Sequence, residues 1–415
     1  MTDAIPQGSA AMAVPDGVVT ITTEASPAPQ RSQQAEAAAY LDQPQFQRRL
    51  TLPATENHGP LTVTYAVTGV QSDSAPVVLF IAGLMGNRYL ATLGDFLCQK
   101  LGLRFVVVDR PGMGGSTKVD VSQRLAVWLE TVPVLLKELK VEHVSIMSHS
   151  CGVIYTFNTI YTYPEILLPS NPSLHLLTPW VHPKHSGVTM LKASSLLPAP
   201  IINQFNSVLS FAMNTVAPSI SFSSGLLASA TSALSSSSHN RDPSDQTDRP
   251  KHARDDLCRE YLGLSASDTA ARMKEMMSRL FKDDTTGANG EVLLCLKKPA
   301  AGPWRACEDY GKFPSELEAR LTERRRQNEM RGSSGDPAPQ QGKPLLRINV
   351  YWAESDMLVG KKGEQYFDEC FKQYRGDQGN LSYHSETIKD TDHDTVCHPQ
   401  YGAVPKALLA IKSSR

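Results

Sequence analysis

The sequence predicts an α/β fold built on a mostly parallel sheet, and two features of the chain carry that prediction. Between about residues 46 and 180, short apolar runs typical of strands alternate with segments of helical periodicity. The same alternation resumes near residue 343 and continues to about residue 412. Alternation of this kind indicates a parallel sheet, because two parallel strands must be joined by a crossover, usually a helix.

Composition limits the classes of protein to which the chain can belong. Of its 415 residues, 41% are apolar and 20% are charged, and the formal net charge is −1, which argues against nucleic acid as a partner. No run approaches the roughly 18 apolar residues of a membrane helix. The first residues lack the basic and apolar regions of a secretory signal, so a cytoplasmic location is expected. The seven cysteines show no CxxC pair and are predicted to be free thiols.

The interval 181–342 lacks the regular rhythm of strands and helices, which predicts a large insertion after the sixth strand. Two stretches within it have no core-forming pattern and are predicted to be disordered, as is an N-terminal tail rich in Ala, Pro, Ser and Gln. The predicted units are a flexible tail at 1–45, a core at 46–180 and 343–415, and a cap or lid at 181–342 with disordered segments at 232–256 and 331–344.

The first part of the core begins with three strand-like runs, QRRLTLP, LTVTYAV and PVVLFIAG. The third run is continuously apolar, which is typical of a central strand covered on both faces. A helix is predicted around Leu90 to Lys100, then the strand RFVVVD and the glycine-rich loop DRPGMGGS. Apolar residues recur every three or four positions from Leu125 to Leu139 and predict the next helix. The strand HVSIM, the helix VIYTFNTIYTY and the strand LHLLT follow.

The inserted segment contains amphipathic pieces, which predict helices, and the core pattern then returns. The apolar positions of these pieces are Ile201, Phe205, Val208 and Leu209 in the first, and Met273, Met277, Leu280 and Phe281 in the second. After the insertion come the strand LLRINVYWAESD, a helix near Lys361 to Tyr374, and the strand LSYHSETI. The loop KDTDHDTV and the helix PQYGAVPKALLAIK complete the pattern.

Ser150 lies at a strand-to-helix junction that has the pattern of an activated nucleophile. A serine hydroxyl becomes an effective nucleophile only when a base takes its proton and donors stabilise the resulting oxyanion. The tight turn that exposes such a serine requires small residues two positions before and two after it, and Ser148 and Gly152 meet this requirement. If Ser148 were the nucleophile, Ile146 would occupy one of the small positions, so the pattern favours Ser150.

These motifs resemble the α/β-hydrolase superfamily, in its serine esterase and lipase-like branch. The resemblance covers roughly residues 46–180 and 343–412 and implies an eight-stranded, mostly parallel sheet flanked by helices, with a largely helical cap after the sixth strand. It also implies that the backbone N–H groups of Leu84 and Cys151 form the oxyanion hole. Ala82 replaces the histidine that commonly supports this loop in the family. Asp109 to Ser116 is similar to the family's D-x-x-G-x-G-x-S loop, whose expected role is to turn the chain away from the strand end.

The family order of nucleophile, acid and base is matched by Ser150, Asp356 and His393. Asp356 follows the strand INVYW at the sheet edge where the active-site loops of parallel strands gather. His393 lies in the loop after the last strand, where the family's histidine belongs. Each residue has a rival, Glu354 for the acid and His398 or His384 for the base. Glu354 lies closer to the strand end, His398 could begin the last helix and His384 lies within a strand.

The predicted function is hydrolysis of a carboxylic ester through an acyl-enzyme on Ser150. The expected partner is a small to medium, partly apolar ester-like molecule, with no cofactor, and the sequence does not indicate an oligomeric state. A triad-dependent acyltransferase or lyase remains open, as does a non-catalytic binding protein, because one fold hosts many functions. A metal site is not expected, because the cluster Asp390, Asp392, His393, Asp394 and His398 has no recognisable ligand spacing.

Overall fold

A single eight-stranded sheet forms the centre of the structure, a computed structural model that describes residues 28–204, 251–284, 286–330, 346–376 and 380–413. Its strands are β1 (Arg48–Leu52), β2 (Leu61–Gly69), β3 (Val77–Ile81), β4 (Arg104–Val108), β5 (Val144–His149), β6 (Ser173–Leu177), β7 (Leu346–Ser355) and β8 (Leu381–Asp392). Their order across the sheet is β1-β2-β4-β3-β5-β6-β7-β8. β2 is antiparallel to both of its neighbours, and all other pairs are parallel. The predicted eight-stranded, mostly parallel α/β sheet is therefore confirmed.

Helices cover both faces of this sheet. In chain order they are α1 (Ala28–Leu41), α2 (Asp95–Leu101), α3 (Arg124–Leu139), α4 (Gly152–Thr162), α5 (Pro183–Ser186), α6 (Thr189–Leu196), α7 (Ala199–Ile202), α8 (Lys251–Leu262), α9 (Ala266–Lys282), α10 (Gly287–Cys295), α11 (Phe313–Met330), α12 (Gly360–Cys370) and α13 (Ala403–Ser413). α3, α4 and α12 pack on one face, and α2 and α13 on the other. Every residue of β3 to β6 is buried as a result, which explains why β3 is continuously apolar in the sequence and why β4 to β6 are mostly apolar.

The N-terminal region differs from the predicted flexible tail at residues 1–45. Residues 28–41 form helix α1, which packs against helix α9 of the inserted segment. The Gln34 amide donates to Glu275 over 2.7 Å, and Arg279 pairs with Asp42 at 2.5 Å. Side-chain contacts with α9 thus hold in place a segment that is too polar to form a core of its own. The pattern of a single sequence does not predict that α1 and α9 come into contact. Residues 1–27 lie outside the described residues.

The described residues of the segment 181–342 are largely helical, from α5 to α11. The predicted disordered stretch 232–256 overlaps α8, whose first turns cover residues 251–256. The rest of that stretch lies outside the described residues, as do the second predicted disordered stretch, 331–344, and the predicted apolar positions Phe205, Val208 and Leu209.

β8 is longer than its sequence pattern predicts and extends into the expected loop KDTDHDTV. The strand continues to Asp392 because β7 reaches Ser355 and pairs with it there. The register shifts between Ala353 and Ser355, and Asp390 has a left-handed backbone with φ of +57°. This irregularity bends the end of the strand, so that the loop proper begins at His393.

The described part of the chain contains no helix with the length and apolar character needed to span a membrane. All seven cysteines lie within the described residues, and all are free thiols.

The buried hydroxyl of Ser148 generates a first prediction. It has no hydrogen-bond partner among the described residues, although its side chain is almost completely buried in β5. Because a buried polar group without a partner is destabilising, Ser148→Ala should raise the free energy of unfolding by about 1 kcal/mol. The measurement is urea denaturation monitored by circular dichroism. The dependence of the free energy of unfolding on urea concentration should be the same as in wild type.

Ser116→Ala is the matched control, because the Ser116 hydroxyl donates to the Asp109 carbonyl over 2.7 Å and accepts from the Thr64 N–H. That variant should lower the free energy of unfolding. A loss of stability in Ser148→Ala equal to that of Ser116→Ala would show that the Ser148 hydroxyl is satisfied in solution.

Candidate active site

Ser150 occupies a sharp turn between β5 and α4. Its backbone is left-handed, with φ of +50°, a conformation that non-glycine residues rarely adopt outside specialised turns. The Ser150 N–H donates to the Leu177 carbonyl at the end of β6, and the Ser150 carbonyl accepts from the Trp180 N–H, each over 3.0 Å. These bonds hold the strained turn in place, so that the serine side chain projects from the carboxyl edge of the sheet.

Two glycines allow neighbouring backbone to approach this turn. A Cβ added to Gly152 would lie 2.3 Å from the Ile81 carbonyl oxygen at the end of β3. A Cβ added to Gly83 would lie 2.7 Å from Nδ1 of His149 and 3.3 Å from the Ser150 Cβ. The small residue required at position 152 by the nucleophile pattern therefore has a direct steric cause.

The structure brings together the three residues proposed as nucleophile, acid and base. His393 Nε2 lies 2.8 Å from the Ser150 Oγ, and His393 Nδ1 lies 2.7 Å from Asp356 Oδ2. Since a carboxylate can only accept, Nδ1 carries a proton and Nε2 is free to accept from the serine hydroxyl. This arrangement can remove a proton from Ser150 as its oxygen attacks an electrophile.

Asp356 follows β7 and is held by backbone donors. The N–H groups of Leu358 and Val359 both donate to its Oδ1 over 2.8 Å, which leaves Oδ2 for His393. The rival acid Glu354 is exposed, and its carboxylate accepts from the backbone N–H of Asp390 over 3.0 Å. Glu354 therefore supports the bend at the end of β8 and makes no contact with His393.

Two side chains that the sequence pattern did not indicate, those of His149 and Thr178, hold the backbone of the loop that carries His393. The His393 carbonyl accepts from Nε2 of His149 over 2.7 Å and from the Thr178 hydroxyl over 3.4 Å. Thr178 has a left-handed backbone, with φ of +40°, which is unusual for a β-branched residue. His149 precedes the nucleophile, and the small-x-Ser-x-small pattern leaves its position unspecified, so only the folded structure reveals its role.

Burial and charge act in opposite directions on the titration of His393 and Asp356. Burial alone would lower the pKa of His393, but the adjacent Asp356 carboxylate raises the pKa above its ordinary value. Burial alone would raise the pKa of Asp356, but His393 and the Leu358 and Val359 N–H groups lower it. Burial and the neighbouring His393 lower the pKa of His149, which keeps that ring neutral near pH 7.

Arg110 supports the loop that follows β3, where the family's usual histidine is replaced by Ala82. Its guanidinium is buried and donates to the carbonyl oxygens of Ala82, Gly83 and Leu84. A planar guanidinium with several donors can bind several carbonyls at once. The glycine-rich loop Asp109 to Ser116 was expected only to turn the chain, so its contribution to this site is a finding of the structure.

The N–H groups of Leu84 and Cys151, which the family resemblance implies as oxyanion donors, belong to residues that line the same cavity as Ser150. Cys151 is the next residue along the turn, and Leu84 lies in the loop held by Arg110. Within the described ranges, neither N–H donates a hydrogen bond to another group of the protein. Two such donors next to a nucleophile are available to bind a developing negative charge.

Ser150 and His393 open onto a cavity of about 350 Å³. Its walls are mainly aliphatic, aromatic and sulfur-containing side chains, contributed both by the core and by α6, α7, α9 and α10 of the inserted segment. The apolar residues that line it include Phe80, Leu84, Met85, Leu90, Leu93, Trp180, Leu191, Leu197, Ile201, Ile202, Met276, Met277, Leu280, Val292, Leu296 and Leu358. The cavity suits an extended apolar group placed next to the serine.

The remaining histidine and acidic candidates lie around this site but are not part of the hydrogen-bonded chain from Ser150 through His393 to Asp356. His398 lines the cavity, whereas His384 is exposed on β8 and hydrogen-bonded to Ser382. Asp392 accepts from the Asp394 and Thr395 N–H groups and so caps the loop. Within the described ranges, no group of three or more His, Cys, Asp or Glu residues is arranged to hold a metal ion.

Comparisons with known proteins find similar folds and no sequence match. No family model matches the chain, and no curated protein matches it. A structure from a study of carboxylesterases of Nitrososphaera gargenis is 11% identical, covers 88% of this chain and 99% of its own, and gives a TM-score of 0.44. A Vigna radiata epoxide hydrolase is 15% identical, with coverages of 89% and 98% and a TM-score of 0.48. A thioesterase domain from the curacin pathway is 14% identical, with coverages of 87% and 99% and a TM-score of 0.43.

Similarities of this size carry no argument about activity, so the assignment rests on the chain's own geometry. That geometry combines a mostly parallel eight-stranded sheet, with an antiparallel second strand, and a left-handed serine turn directly after the fifth strand. The chain has the α/β-hydrolase fold.

Proposed function

We propose that the protein is a serine hydrolase that cleaves carboxylic esters through an acyl-enzyme formed on Ser150. The observation that carries this proposal is the continuous hydrogen-bonded chain from Ser150 Oγ to His393 Nε2 at 2.8 Å and from His393 Nδ1 to Asp356 at 2.7 Å. A serine at this position, rather than an aspartate, favours attack on an acyl carbon over formation of an alkyl ester by ring opening of an epoxide.

In the proposed reaction, the Ser150 oxygen attacks the ester carbonyl while His393 accepts the hydroxyl proton. Negative charge develops on the carbonyl oxygen, where the N–H groups of Leu84 and Cys151 are proposed to stabilise it. His393 then gives its proton to the departing alcohol, and Asp356 stabilises the imidazolium in between. Water, activated by the same histidine, attacks the acyl-enzyme and releases the carboxylic acid.

The walls of the cavity support an apolar acyl group as the preferred substrate portion. Burying an acyl chain there removes methylene groups from water without leaving polar groups unpaired. Several wall residues belong to the segment 181–342, so we propose that this segment acts as a cap that selects the substrate. Transfer of the acyl group to an alcohol instead of water would use the same triad.

Reaction with an activated phosphonate tests the nucleophile. A fluorophosphonate should label Ser150, as located by peptide mass spectrometry, because the probe reacts with a serine whose proton a neighbouring base removes during attack. Ser150→Ala should abolish labelling and leave the circular-dichroism spectrum unchanged, whereas Ser148→Ala should be labelled as wild type. Folded wild-type protein that resists the probe would support a non-catalytic binding protein. If an added alcohol diverts most of the product to a new ester, the protein is an acyltransferase.

The pH dependence of kcat/KM tests the base and its acid partner. His393 is active only when neutral, and its pKa lies above the ordinary value of 6.5, so activity should fall as the pH drops through a midpoint above 6.5. Asp356→Asn should lower kcat by about 10⁴-fold. It should also move that midpoint to lower pH, because the loss of the Asp356 carboxylate removes the largest effect that raises the pKa of His393 and leaves burial opposed only by Asp394 and Asp392.

Glu354→Gln is the matched control, since Glu354 makes no contact with His393. Its pH profile and rate should match those of wild type. A larger loss of rate in Glu354→Gln than in Asp356→Asn would assign the acid to Glu354.

A series of esters with increasing acyl length tests the substrate class and the role of the segment 181–342. Each added methylene should increase kcat/KM by up to about fourfold until the cavity is filled, from roughly 0.8 kcal/mol per buried methylene. Met277→Ala should move the optimum to longer chains, because Met277 lines the cavity. Met273→Ala is the matched control, because Met273 lies on the same helix and is also half-buried against the core but does not line the cavity; it should leave the optimum unchanged. A flat dependence on chain length in all three proteins would exclude acyl selection by this segment.

A further inference from the structure

Glu291, on helix α10 of the inserted segment, is a fully buried acid that the proposed reaction does not use. Its carboxylate lies between two buried guanidiniums: Oε1 is 3.2 Å from Nε of Arg110 and also pairs with Arg124. The Tyr155 hydroxyl donates to the same oxygen over 2.7 Å. Burial alone would raise the pKa of Glu291, but the two arginines lower it below its usual range, so the group is an anion.

One contact of Glu291 leads through Arg110 to the first predicted oxyanion donor. The Arg110 guanidinium donates to the Gly83 carbonyl, which belongs to the same peptide unit as the Leu84 N–H. In a planar trans peptide, the C=O and the N–H point in opposite directions. A cation that holds the Gly83 oxygen on one side therefore directs the Leu84 N–H to the other side of the peptide, and Gly83, Leu84 and Ser150 all line one cavity.

A second contact of Glu291 leads to the other predicted donor. The Cys151 thiol donates to Oε2 of Glu291 over 3.9 Å, and the backbone N–H of Cys151 is the donor that follows the nucleophile. A single carboxylate thus contacts the supports of both donors, one from each side of Ser150. It reaches them from the inserted segment, at a separation of 140 positions from Cys151.

Helix α10 also contributes to the wall of the acyl cavity. Val292, Cys295 and Leu296, at its C-terminal end, line the cavity, whereas Glu291 points toward Arg110. The helix therefore contacts both the proposed acyl chain and the support of the oxyanion loop. Removing it would open the cavity and leave Arg110 without its counter-ion.

We propose that Glu291 is a positioning residue for the oxyanion hole, which orients the Leu84 N–H through Arg110 and the Cys151 N–H through the Cys151 thiol. This inference rests on the proposed esterase function and deepens it, because it assigns to the inserted segment a part in stabilising the transition state as well as in binding substrate. Glu291 touches no reacting atom and acts only through its neighbours.

Steady-state kinetics of Glu291→Gln, with an ester that fits the cavity, separate positioning from a general structural role. The variant keeps the size of the side chain and an oxygen for Tyr155, but loses the charge that holds Arg110. If one donor is misoriented, kcat should fall by about 10- to 100-fold, with KM nearly unchanged. The affinity for an alkyl boronic acid, which forms a tetrahedral adduct on Ser150, should fall by a similar factor. The affinity for an alkyl alcohol of equal chain length should stay constant.

Two further variants serve as a matched pair within the same charge cluster. Arg110→Lys keeps the charge but loses the fork that reaches three carbonyls, and should reproduce the loss of kcat and of boronic-acid affinity. Arg124→Lys alters a cation that contacts Glu291 and the Pro111 carbonyl but none of the loop carbonyls. It should lower the thermal midpoint with little effect on kcat. The Glu291→Gln/Arg110→Lys double variant should lose no more activity than Arg110→Lys alone, because both changes act through the same contact.

Equal kcat values in Glu291→Gln, Arg110→Lys and Arg124→Lys would overturn the positioning role while leaving the esterase proposal intact. If Glu291→Gln does not fold, the comparison of Arg110→Lys with Arg124→Lys decides the question by the same criterion. Wild-type protein that neither hydrolyses esters nor binds the boronic acid would overturn the proposed function and this inference together.

Discussion

The close approach of the turn at Ser150 to the end of β3 is the constraint on which the rest of the site depends. The turn with the left-handed backbone of Ser150 can approach β3 because Gly152 has no Cβ. A Cβ at this position would lie 2.3 Å from the Ile81 carbonyl oxygen, which is too close. A hydrogen bond from Ser150 to the end of β6, and one from Trp180 to Ser150, then hold the strained residue in place. This turn fixes the Ser150 oxygen and the N–H of the next residue in one rigid unit. The side chains proposed to activate Ser150 can therefore act on an oxygen whose position does not change.

The proposed acid and base, Asp356 and His393, reach Ser150 from two loops at the same edge of the sheet. β7 and β8 pair in parallel and therefore deliver Asp356 and His393 side by side at their carboxyl ends. Backbone N–H groups hold one carboxylate oxygen, and His149 and Thr178 hold the carbonyl of the base. Backbone N–H groups thus hold the Asp356 side chain, and two side chains hold the His393 backbone. These contacts limit the motion of both residues relative to Ser150.

Buried ion pairs connect the inserted segment to the loops around the site. Besides the buried cluster at Glu291, the half-buried Asp283 of that segment pairs at 2.8 Å with Arg88, which is itself buried and also binds Asp109. Buried pairs of this kind add little net stability, because desolvation offsets most of the attraction, but a missing partner is costly. Their effect is therefore to select one arrangement of the inserted segment over the core. That arrangement also closes the apolar cavity, which links the shape of the proposed substrate site to the electrostatics beneath it.

The sequence by itself determined the features that depend on local chemistry. Short, mostly apolar runs indicated the buried strands, and the small residues around Ser150 indicated the turn, because both patterns depend on a few neighbouring residues. The order of Asp356 and His393 along the chain, together with the family resemblance, favoured them over Glu354, His398 and His384, and the structure places both in the hydrogen-bonded chain to Ser150. The helix at residues 28–41 was missed, because its stability depends on contacts with a helix more than 200 positions away.

Only the tertiary structure decided how the candidate residues are supported. Arg110 lies in a loop whose pattern indicates a turn, and Glu291 lies in a segment with no recognisable motif, so neither has a local signal. The two meet because the inserted segment folds back on the loops at the carboxyl edge of the sheet. Such contacts depend on which surfaces become adjacent after folding. The spacing of residues along a single sequence does not predict which surfaces these are.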